Sequence, residues 1–262
     1  METGLRGARV LVTASSRGIG FGIAEGFVAE GARVVLNSSN ATRLEAAVAR
    51  LRPRGDVRGI LGDLSRREDL DRLVDGTLSH LGGIDTLVYV TGSPRPGVYL
   101  EQGYEEWEAA AQLLVVSPAF LARRVADAMI QSGTRGRMVF LTSISVREPI
   151  PTIATSSVLR IAVAGLVRTL AREIGPKGIR VNGILPGFVK TDRIDEVMKD
   201  TARRRGSTPE QAMAETTQAI PLGRFGTVEE IAKAAIFLGS DLSSYVSGTM
   251  LAVDGALLRS VG

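Results

Sequence analysis

The sequence predicts an α/β fold: a single domain in which a doubly wound, seven-stranded parallel sheet carries helices on both faces. Short runs rich in Val, Ile and Leu alternate along the chain with amphipathic segments of helical length. The runs are almost continuously apolar, which is typical of parallel strands buried on both sides. The chain has 262 residues with 44% hydrophobic content, enough for one such domain. The predicted strands are residues 9–13, 33–37, 57–61, 86–91, 137–142, 180–185 and 249–253.

Capping chemistry predicts where several of the intervening helices begin and end. The first helix begins near Gly18 and stops at Gly31, because glycine readily adopts the left-handed conformation that ends a helix. The pair Gly175-Pro176 ends the long helix that carries residue 160 in the same way. Further on, Thr208 is a predicted N-cap, followed by proline at the first helical position and by Gln211, which can close a capping box.

Residues 190–224 show no strand pattern, and the helix that begins at Thr208 is a short one within a long irregular region. A loop region of this length is usually functional. We predict that residues 190–215, approximately, form a lid over the substrate. The lid contains Arg203, Arg204 and Arg205. These arginines could attract an anionic substrate such as a phosphopantetheine, but the preferred interpretation is that they offset Asp195, Glu196 and Asp200 on a solvated helix.

Composition excludes several classes of protein. The chain has no cysteine, so disulfides and thiolate metal sites are excluded, and no metal site is predicted. Nothing argues for secretion, and a cytoplasmic enzyme is the default. The net charge is +4 and the pI about 9.7, but arginines are scattered among carboxylates, so nucleic-acid binding is not expected. The apolar run 153–171 is interrupted by Arg160 and Arg168, which indicates a buried helix and not a membrane span.

A glycine-rich turn follows the first predicted strand and leads directly into a helix. It reads Thr13-Ala14-Ser15-Ser16-Arg17-Gly18-Ile19-Gly20. Small residues let the backbone approach a pyrophosphate, and the helix N-terminus supplies free amide donors and a favourable dipole. Because doubly wound sheets bind ligands at the carboxyl ends of their strands, this turn predicts a dinucleotide site.

The residues after the second predicted strand indicate which dinucleotide is bound. A carboxylate there would accept hydrogen bonds from the adenosine ribose and repel a 2′-phosphate. This chain has Asn37-Ser38-Ser39-Asn40 instead, whose hydroxyls and amides can donate to phosphate, and Arg17 adds positive charge close by. We therefore expect NADP(H) to be preferred, with NAD(H) as the alternative.

The stretch from Phe140 to Thr191 resembles the catalytic half of the short-chain dehydrogenase/reductase (SDR) family. In that family a serine is followed thirteen positions later by Tyr-x-x-x-Lys. Counting from Ser143, the tyrosine position holds Ser156 and the lysine position holds Arg160. The resemblance covers residues 7–256. The end of the chain is most similar to bacterial 3-oxoacyl-[acyl-carrier-protein] reductases, in which the last strand and the long helices pair between subunits. The resemblance thus implies a Rossmann fold, oxidoreductase activity and a homotetramer, with a dimer as the second choice.

The resemblance also assigns residues to the cofactor, with two departures. The family has Thr-Gly-x-x-x-Gly-x-Gly in the first turn, so Ala14 replaces a glycine, which is tolerable if its φ stays negative. The family's Asn-Asn-Ala-Gly corresponds to residues 89–92, where only Gly92 is kept beside the ribose. Asp63 would accept from the adenine amine, or else simply cap the next turn. The motif from Pro186 to Thr191 would hold the nicotinamide amide. The predicted cofactor residues are Thr13, Ser15, Ser16, Arg17, Gly18, Ile19, Ser38, Ser39, Asp63, Leu64, Gly92, Arg160, Pro186, Gly187, Val189 and Thr191.

The predicted catalytic residues are Ser143, Ser156 and Arg160. Carbonyl reduction needs hydrogen-bond donors aimed at the developing oxyanion and a source of a proton. The family uses serine, tyrosine, lysine and an asparagine, and the asparagine position falls here on Leu114 or Val115. Arginine stays charged and offers five donors, so Arg160 can hold the ribose and reach an oxyanion but cannot act as an acid. It could instead pair with a neighbouring carboxylate. The short Ser156 leaves a hollow for substrate or water.

Three functions remain open at this point. The preferred one is a reductase of a small carbonyl substrate, a ketone, oxoacyl or quinone-like compound, in which Ser143 and Arg160 stabilise the oxyanion. Water or another residue, with Tyr99 and Lys190 as candidates, would deliver the proton. The second is a non-redox dehydratase, isomerase or cyclase in which Arg160 stabilises an enolate. The third is a nucleotide-binding sensor or scaffold without turnover.

Overall fold

The predicted seven-stranded parallel sheet is confirmed. The computed structural model describes residues 2–150 and 152–260, so the predicted domain's ends at Met1 and at residues 261–262 lie outside the described residues. The strand order is β3-β2-β1-β4-β5-β6-β7, and every neighbouring pair is parallel. The strands are β1 (Arg9–Val12), β2 (Arg33–Ser38), β3 (Val57–Leu61), β4 (Thr86–Tyr89), β5 (Arg137–Leu141), β6 (Arg180–Pro186) and β7 (Met250–Val253).

Helices cover both faces of the sheet, as doubly wound architecture requires. One buried cluster packs α1, α2 and α9 on one face, and a second packs α3, α5 and α6 on the other. Between β1 and β4 the chain reverses its direction of winding, and this is where a crevice opens at the strands' carboxyl ends. The helices within the described residues are α1 (Gly18–Ala29), α2 (Ala41–Leu51), α3 (Arg67–Leu81), α4 (Tyr104–Ala111), α5 (Ser117–Gln131), α6 (Ala154–Glu173), α7 (Asp192–Arg205), α8 (Pro209–Ala219) and α9 (Val228–Leu238).

The predicted helix boundaries are confirmed. Gly31 follows α1 with φ +82°, and α6 ends at Glu173, just before Gly175. At the start of α8 the Thr208 hydroxyl accepts from the Gln211 amide at 3.2 Å, and the Gln211 side chain accepts from the Thr208 amide at 3.1 Å. Local side-chain chemistry therefore sets these ends.

The region 190–224 is not irregular, which corrects the sequence-based interpretation. It contains two helices, α7 and α8, which pack on each other around a small core of their own. Ile194, Met198 and Ala202 recur at a spacing of four along α7 and bury their side chains against Ala212 of α8. That spacing is the signal for an amphipathic helix, but it is hidden by the many charges around it.

A π-helical segment, Gln112–Val116, joins α4 to α5. The Ser117 hydroxyl donates to the Gln112 carbonyl oxygen at 2.7 Å, so this carbonyl is satisfied outside the regular α-helical ladder. Leu114, one of the two residues on which the family's asparagine position falls, is 1% exposed and packs in the interior. Segments of this kind are frequent at functional sites because they free carbonyl groups for other partners.

Helix α6 is only partly buried. It packs on β6 with its inner face, whereas Val158 and Ile161 are about half exposed on the outer face. By length and composition alone, α6 is the one helix of the described residues that could cross a membrane. The core helix of a soluble protein meets the same criterion, and the inner face of α6 packs on β6 of the sheet.

Candidate active site

A cleft with a cavity volume of about 540 Å³ lies at the carboxyl ends of the strands. Its size falls in the usual range for small-molecule and cofactor sites. It brings together most of the residues predicted from the sequence, from the glycine-rich turn to the start of α7. The predicted residues that line it are Ser16, Arg17, Gly18, Ile19, Ser38, Ser39, Asp63, Leu64, Gly92, Ser143, Ser156, Arg160, Pro186, Gly187 and Thr191.

Three predicted cofactor residues do not line the cleft, and the structure places their side chains in the scaffold behind it. The Thr13 hydroxyl donates to the Val90 carbonyl oxygen at 2.5 Å and accepts from the Val90 amide at 2.8 Å. Ser15 donates to the Val12 carbonyl oxygen at 2.7 Å. Val189 is 6% exposed and belongs to the apolar core. These side chains hold the loops that form the cleft.

The glycine-rich turn has the geometry of an anion cradle. Helix α1 begins without a capping side chain, so its first amides are free to point at a ligand. Gly18 has φ +55°, and a Cβ there would meet nothing within 4 Å. A Cβ on Gly20, by contrast, would lie 2.4 Å from the Ala14 carbonyl oxygen, so the turn packs tightly on its helix. Such a turn fits the pyrophosphate of a dinucleotide.

Ala14 does not keep the negative φ that the sequence analysis assumed. Its φ is +43°, which lies in the left-handed region that favours glycine. The Ala14 amide donates to Asn37 Oδ1 at 3.2 Å, and this contact holds the turn against the end of β2. The turn therefore keeps the backbone conformation that a glycine would adopt, at the cost of some strain.

The end of the cleft at which the sequence analysis predicts the adenosine is lined with hydroxyls and arginines. Ser16 donates to Ser38 at 2.9 Å, and Ser39 lies beside them in the lining. Arg43, in the first turn of α2, also lines the cleft, and the sequence analysis missed it. Its position was readable, because Asn40 is an N-cap and a residue three positions later lies in the helix's first turn.

Asp63 makes the contact expected of a turn cap and still lines the cleft. Its Oδ1 accepts from the Ser65 amide at 2.9 Å and from the Ser65 hydroxyl at 2.8 Å. Among the described residues, Oδ2 has no hydrogen-bond donor. One carboxylate oxygen thus holds the turn, while the other is available to an adenine amine.

The opposite end of the cleft contains a buried serine–arginine pair. Ser156 and Arg160 lie one turn apart on α6, and Arg160 Nε donates to Ser156 Oγ at 2.9 Å. Arg160 Nη1 also reaches the Leu141 carbonyl oxygen at 3.4 Å. Both side chains are 6% exposed and line the cleft. Since Ser156 Oγ accepts from a cation, its own proton is polarised and free to donate into the cleft.

Arg160 does not pair with a carboxylate among the described residues, which removes the simple structural explanation of its charge. Burial lowers its pKa to about 10, so the guanidinium remains charged at neutral pH. A buried charge without a counter-ion is costly and usually marks a functional group. Ser143 lines the same end of the cleft, where its Oγ accepts from the Ser145 amide at 3.1 Å and keeps its own proton for a ligand.

The two proton-donor candidates from the sequence do not line the cleft. Tyr99 is 67% exposed and packs edge-on against Trp107, with ring centroids 6.1 Å apart. Lys190 is exposed, and its backbone amide donates to the Gly226 carbonyl oxygen. The structure therefore places neither side chain among the groups that could reach a bound carbonyl directly.

The residues in place of the family's asparagines are tied into the scaffold in another way. The Tyr89 hydroxyl donates to the Leu113 carbonyl oxygen at 3.2 Å, in the π-helical segment. Val90 is held by Thr13, as described above. Thr91 lines the cleft, and its hydroxyl is buried. Tyr89 and Val90, at the two asparagine positions, are thus held by contacts with Leu113 and Thr13.

The cleft offers no metal site within the described parts of the chain. No group of three or more histidine, aspartate or glutamate side chains comes close enough to hold a metal ion. The donor set is instead made of hydroxyls, backbone amides and three arginines, which suits a phosphate-bearing cofactor and an oxyanion.

Comparison with known proteins yields relatives along almost the whole chain. Residues 13–257 match the family described as Enoyl-(Acyl carrier protein) reductase. The 3-oxoacyl-[acyl-carrier-protein] reductase of Chlamydia trachomatis is 32% identical over 249 residues, which cover 94% of this chain and 96% of that protein.

Solved structures of oxidoreductases are also similar to this chain over nearly its whole length. The L-sorbose reductase of Gluconobacter frateurii, complexed with NADPH and L-sorbose, superposes with a TM-score of 0.93 at 31% identity and covers 100% of both chains. A short-chain oxidoreductase from Pseudomonas aeruginosa, described as containing an atypical catalytic center, superposes with a TM-score of 0.86 at 30% identity over 97% of this chain and 98% of its own. With its seven-stranded Rossmann-type sheet and these relatives, the chain belongs to the short-chain dehydrogenase/reductase family of oxidoreductases.

Proposed function

We propose that this protein is an NADP(H)-dependent reductase of a small carbonyl compound, with Ser143, Ser156 and Arg160 as its catalytic residues. The observation that carries the proposal is the hydrogen bond between Arg160 and Ser156 inside the cleft, with no carboxylate neutralising the arginine among the described residues. A buried, preorganised cation with free donors is the arrangement that stabilises a developing negative charge.

The residues of the cleft have distinct roles in this proposal. When bound, NADPH supplies the hydride and its electron pair. Ser143 donates to the carbonyl oxygen and orients it, and Arg160 stabilises the alkoxide as negative charge develops there. The polarised hydroxyl of Ser156 adds a second donor. Because neither serine nor arginine is an effective acid at neutral pH, the proton comes from another group or from water.

The preference for NADP(H) rests on the charge at the adenosine end. Arg17, Arg43, Ser38 and Ser39 line this part of the cleft, where a 2′-phosphate would need cations and hydroxyl donors. The L-sorbose reductase with the same fold was solved with NADPH, which supports the same preference here. NAD(H) is the alternative.

The atypical residues do not argue against an enzyme. The Pseudomonas short-chain oxidoreductase, 30% identical to this chain, is itself described as containing an atypical catalytic center. Departures from the usual catalytic set therefore occur within this fold in a protein named an oxidoreductase. This supports turnover over a role as sensor.

Helices α7 and α8 are proposed to act as the lid. Helix α7 begins at Asp192, which lines the cleft beside Thr191. Arg204, near the other end of α7, donates both its Nη1 and Nη2 to the Glu101 carboxylate at 2.8 Å each. Glu101 lies in the loop after β4, so this ion pair joins two segments that flank the nicotinamide end.

The proposed assembly is a homotetramer, with a dimer as the second choice. The outer face of α6 carries the exposed apolar residues Val158 and Ile161, and Val116 is half exposed before α5. Strand β7 forms one edge of the sheet. Light scattering on the purified chain measures the mass directly, and a monomer would overturn this part of the proposal.

Single-turnover absorbance at 340 nm tests the activity, using reduced cofactor with a panel of diketones, quinones and oxoacyl thioesters. Loss of the nicotinamide band on substrate addition is expected, faster with NADPH than with NADH. Tight NADPH binding without any oxidation would contradict the reductase. Mass spectrometry on the same samples would then detect the product of a dehydratase, isomerase or cyclase. If the substrates stay unchanged, a nucleotide-binding sensor or scaffold is the function that remains.

A further inference from the structure

The cleft contains few ionisable side chains, and their kinds limit the chemistry of the substrate. Those that line it within the described residues are Arg17, Arg43, Asp63, Arg160 and Asp192. The three arginines do not give up a proton at neutral pH. Asp63 lies at the predicted adenosine end, where it holds a turn. Asp192 is exposed in the first turn of α7, a position that favours a carboxylate anion. The lining therefore offers a carbonyl oxygen hydroxyls and cations, but no buried acid.

Arg160 keeps hydrogen-bonding capacity that the rest of the protein does not use. Its Nε donates to Ser156 Oγ at 2.9 Å, and its Nη1 reaches the Leu141 carbonyl oxygen at 3.4 Å. Its Nη2 has no hydrogen-bond acceptor within the described parts of the chain, and no carboxylate there pairs with the guanidinium. An anion that forms on a bound substrate would therefore supply both the missing acceptor and the missing counter-ion.

The walls around this cation are apolar. Leu113, Leu141 and Ile153 line the cleft, together with Ser156 and Arg160. An aromatic ring suits apolar walls of this kind, with a few polar groups to fix its orientation. Because serine is much smaller than tyrosine, position 156 leaves room beside the guanidinium for a substituent of that ring. The end of the cleft thus fits an aryl compound with neighbouring oxygen atoms.

Building on the proposed reductase, we propose that its substrates are aryl ketones with a hydroxyl group ortho to the carbonyl, and that this hydroxyl donates the proton. Ser143 holds the carbonyl oxygen, and Arg160 with Ser156 binds the hydroxyl oxygen beside it. A phenol ionises at about pH 10, as the tyrosine side chain does, and is a much stronger acid than an alkyl alcohol. In the ortho position its proton already lies within hydrogen-bonding distance of the carbonyl oxygen. The substrate thus supplies the acid that is absent at residue 156.

The step balances in atoms and charge. The carbonyl carbon gains the hydride with its electron pair, by which NADPH becomes NADP⁺, and the π electrons of the C=O bond move to the oxygen. That oxygen takes the ortho proton, so the phenol O–H bond breaks as the alcohol O–H bond forms. The negative charge then lies on the phenolate, where the Arg160 guanidinium stabilises it. After release the phenolate takes a proton from water.

The test compares three ketones of similar size: 2′-hydroxyacetophenone, its methyl ether 2′-methoxyacetophenone, and 4′-hydroxyacetophenone. The methyl ether lacks the proton, and the 4′ isomer holds it out of reach of the carbonyl oxygen. Values of kcat and KM are measured for the full chain with NADPH. Each kcat is then divided by the rate at which borohydride reduces the same ketone, which corrects for intrinsic reactivity.

We expect the corrected kcat of the 2′-hydroxy ketone to exceed that of the other two at least about 100-fold, which is the usual contribution of a general acid. Equal corrected values for the 2′-hydroxy ketone and its methyl ether would overturn this substrate class while the reductase stands. So would NADPH oxidation by the diketones, quinones or oxoacyl thioesters without any reduction of the 2′-hydroxy ketone. If no carbonyl compound oxidises NADPH, both proposals are wrong.

A double variant, Ser156→Tyr with Arg160→Lys, restores the proton donor of the family, and Arg160→Lys alone is its matched control. The double variant should also reduce the methyl ether and the 4′ isomer, so the preference for the 2′-hydroxy ketone should fall to a few-fold. Arg160→Lys should keep the preference. Thermal unfolding and NADPH affinity on the same samples check that both variants are folded. An undiminished preference in the folded double variant would show that the ortho hydroxyl serves binding and not proton transfer.

Discussion

In the proposed function both ends of the cleft bind negative charge, but they do so in opposite ways. At the phosphate end, backbone amides and surface arginines face a cradle formed by Gly18 and the start of α1. At the nicotinamide end, one guanidinium is buried inside the protein and held by Ser156. The first arrangement is inexpensive because water already solvates its groups, whereas the second pays for desolvation. Cofactor binding requires only the solvated donors, so the desolvation cost of burying Arg160 supports a catalytic role for it.

Of the substitutions that test this comparison, Arg160→Met should have the largest effect on turnover. It removes the charge while approximately keeping the side-chain length. We expect turnover to fall at least about 100-fold, as for loss of an oxyanion donor. Thermal stability should not fall in parallel, because the variant also removes a buried charge that lacks a carboxylate partner.

Arg160→Lys is the matched control, since it keeps a cation and should retain measurable turnover. Rates are measured at saturating NADPH, and unfolding by calorimetry. A variant that loses stability but keeps its rate would reverse the assignment and make Arg160 a structural residue.

Replacing the phosphate-end arginines tests the other half of the comparison. In Arg17→Ala and Arg43→Ala we expect NADPH affinity to weaken about tenfold each, since a charge-assisted hydrogen bond to phosphate is lost. NADH affinity should be unchanged, and so should kcat at saturating cofactor. Fluorescence titration of the reduced cofactors measures both. Equal weakening for the two cofactors would place these arginines on the pyrophosphate and not on the 2′-phosphate.

The ion pair between Arg204 of the proposed lid and Glu101 gives a smaller expected effect. Glu101→Gln removes one partner of Arg204, and exposed pairs of this kind contribute little. We expect KM for the substrate to rise about two- to fivefold with kcat unchanged, and the wild-type KM to rise with salt towards the variant's value. Initial rates at several salt concentrations measure this. A salt dependence that persists in the variant would show that another charge is responsible.

Two alanines at positive φ give the smallest expected effect. Ala14→Gly should stabilise the protein by about 0.5–1 kcal/mol by relieving strain, or about 2 °C in Tm. Ala256→Gly is the matched control, because Ala256 has φ +67° and does not line the cleft. If only Ala14→Gly changes NADPH affinity, the strain in the first turn serves binding. Equal cofactor affinity in both variants would make that strain incidental.

The sequence predicted the fold because its signals are local and repeated. Each apolar run became a strand, with ends displaced by no more than two residues, since burial on both faces leaves little freedom. The proposed lid was harder to predict as helical, because α7 buries only a narrow face and its charges mask the spacing of Ile194, Met198 and Ala202.

Family motifs in the sequence predicted which residues line the candidate site. They did not predict the contacts and backbone angles that depend on tertiary packing. Spacing alone gave Ser156 and Arg160 a common face, but the absence of a carboxylate partner depends on every element around α6. The φ of Ala14 depends on how the turn meets β2. Tyr89 was visible only as a departure from the family motif. Its relation to Leu113 arises from a contact between positions twenty-four residues apart, which no local pattern encodes.

The π-helical segment Gln112–Val116 has a consequence for how this helix tolerates insertions and deletions. A π-helical turn holds one residue more than an α-helical turn, and here the Ser117 amide donates to the Gln112 carbonyl oxygen five positions back. Deleting one residue from this segment would therefore leave a regular α-helical turn and keep α4 in phase with α5, whereas deleting one residue from α4 would turn the residues before the deletion by about 100°. The shortened segment should keep the fold but lose the contact between the Leu113 carbonyl and the Tyr89 hydroxyl, because a regular helix uses that carbonyl within its own ladder.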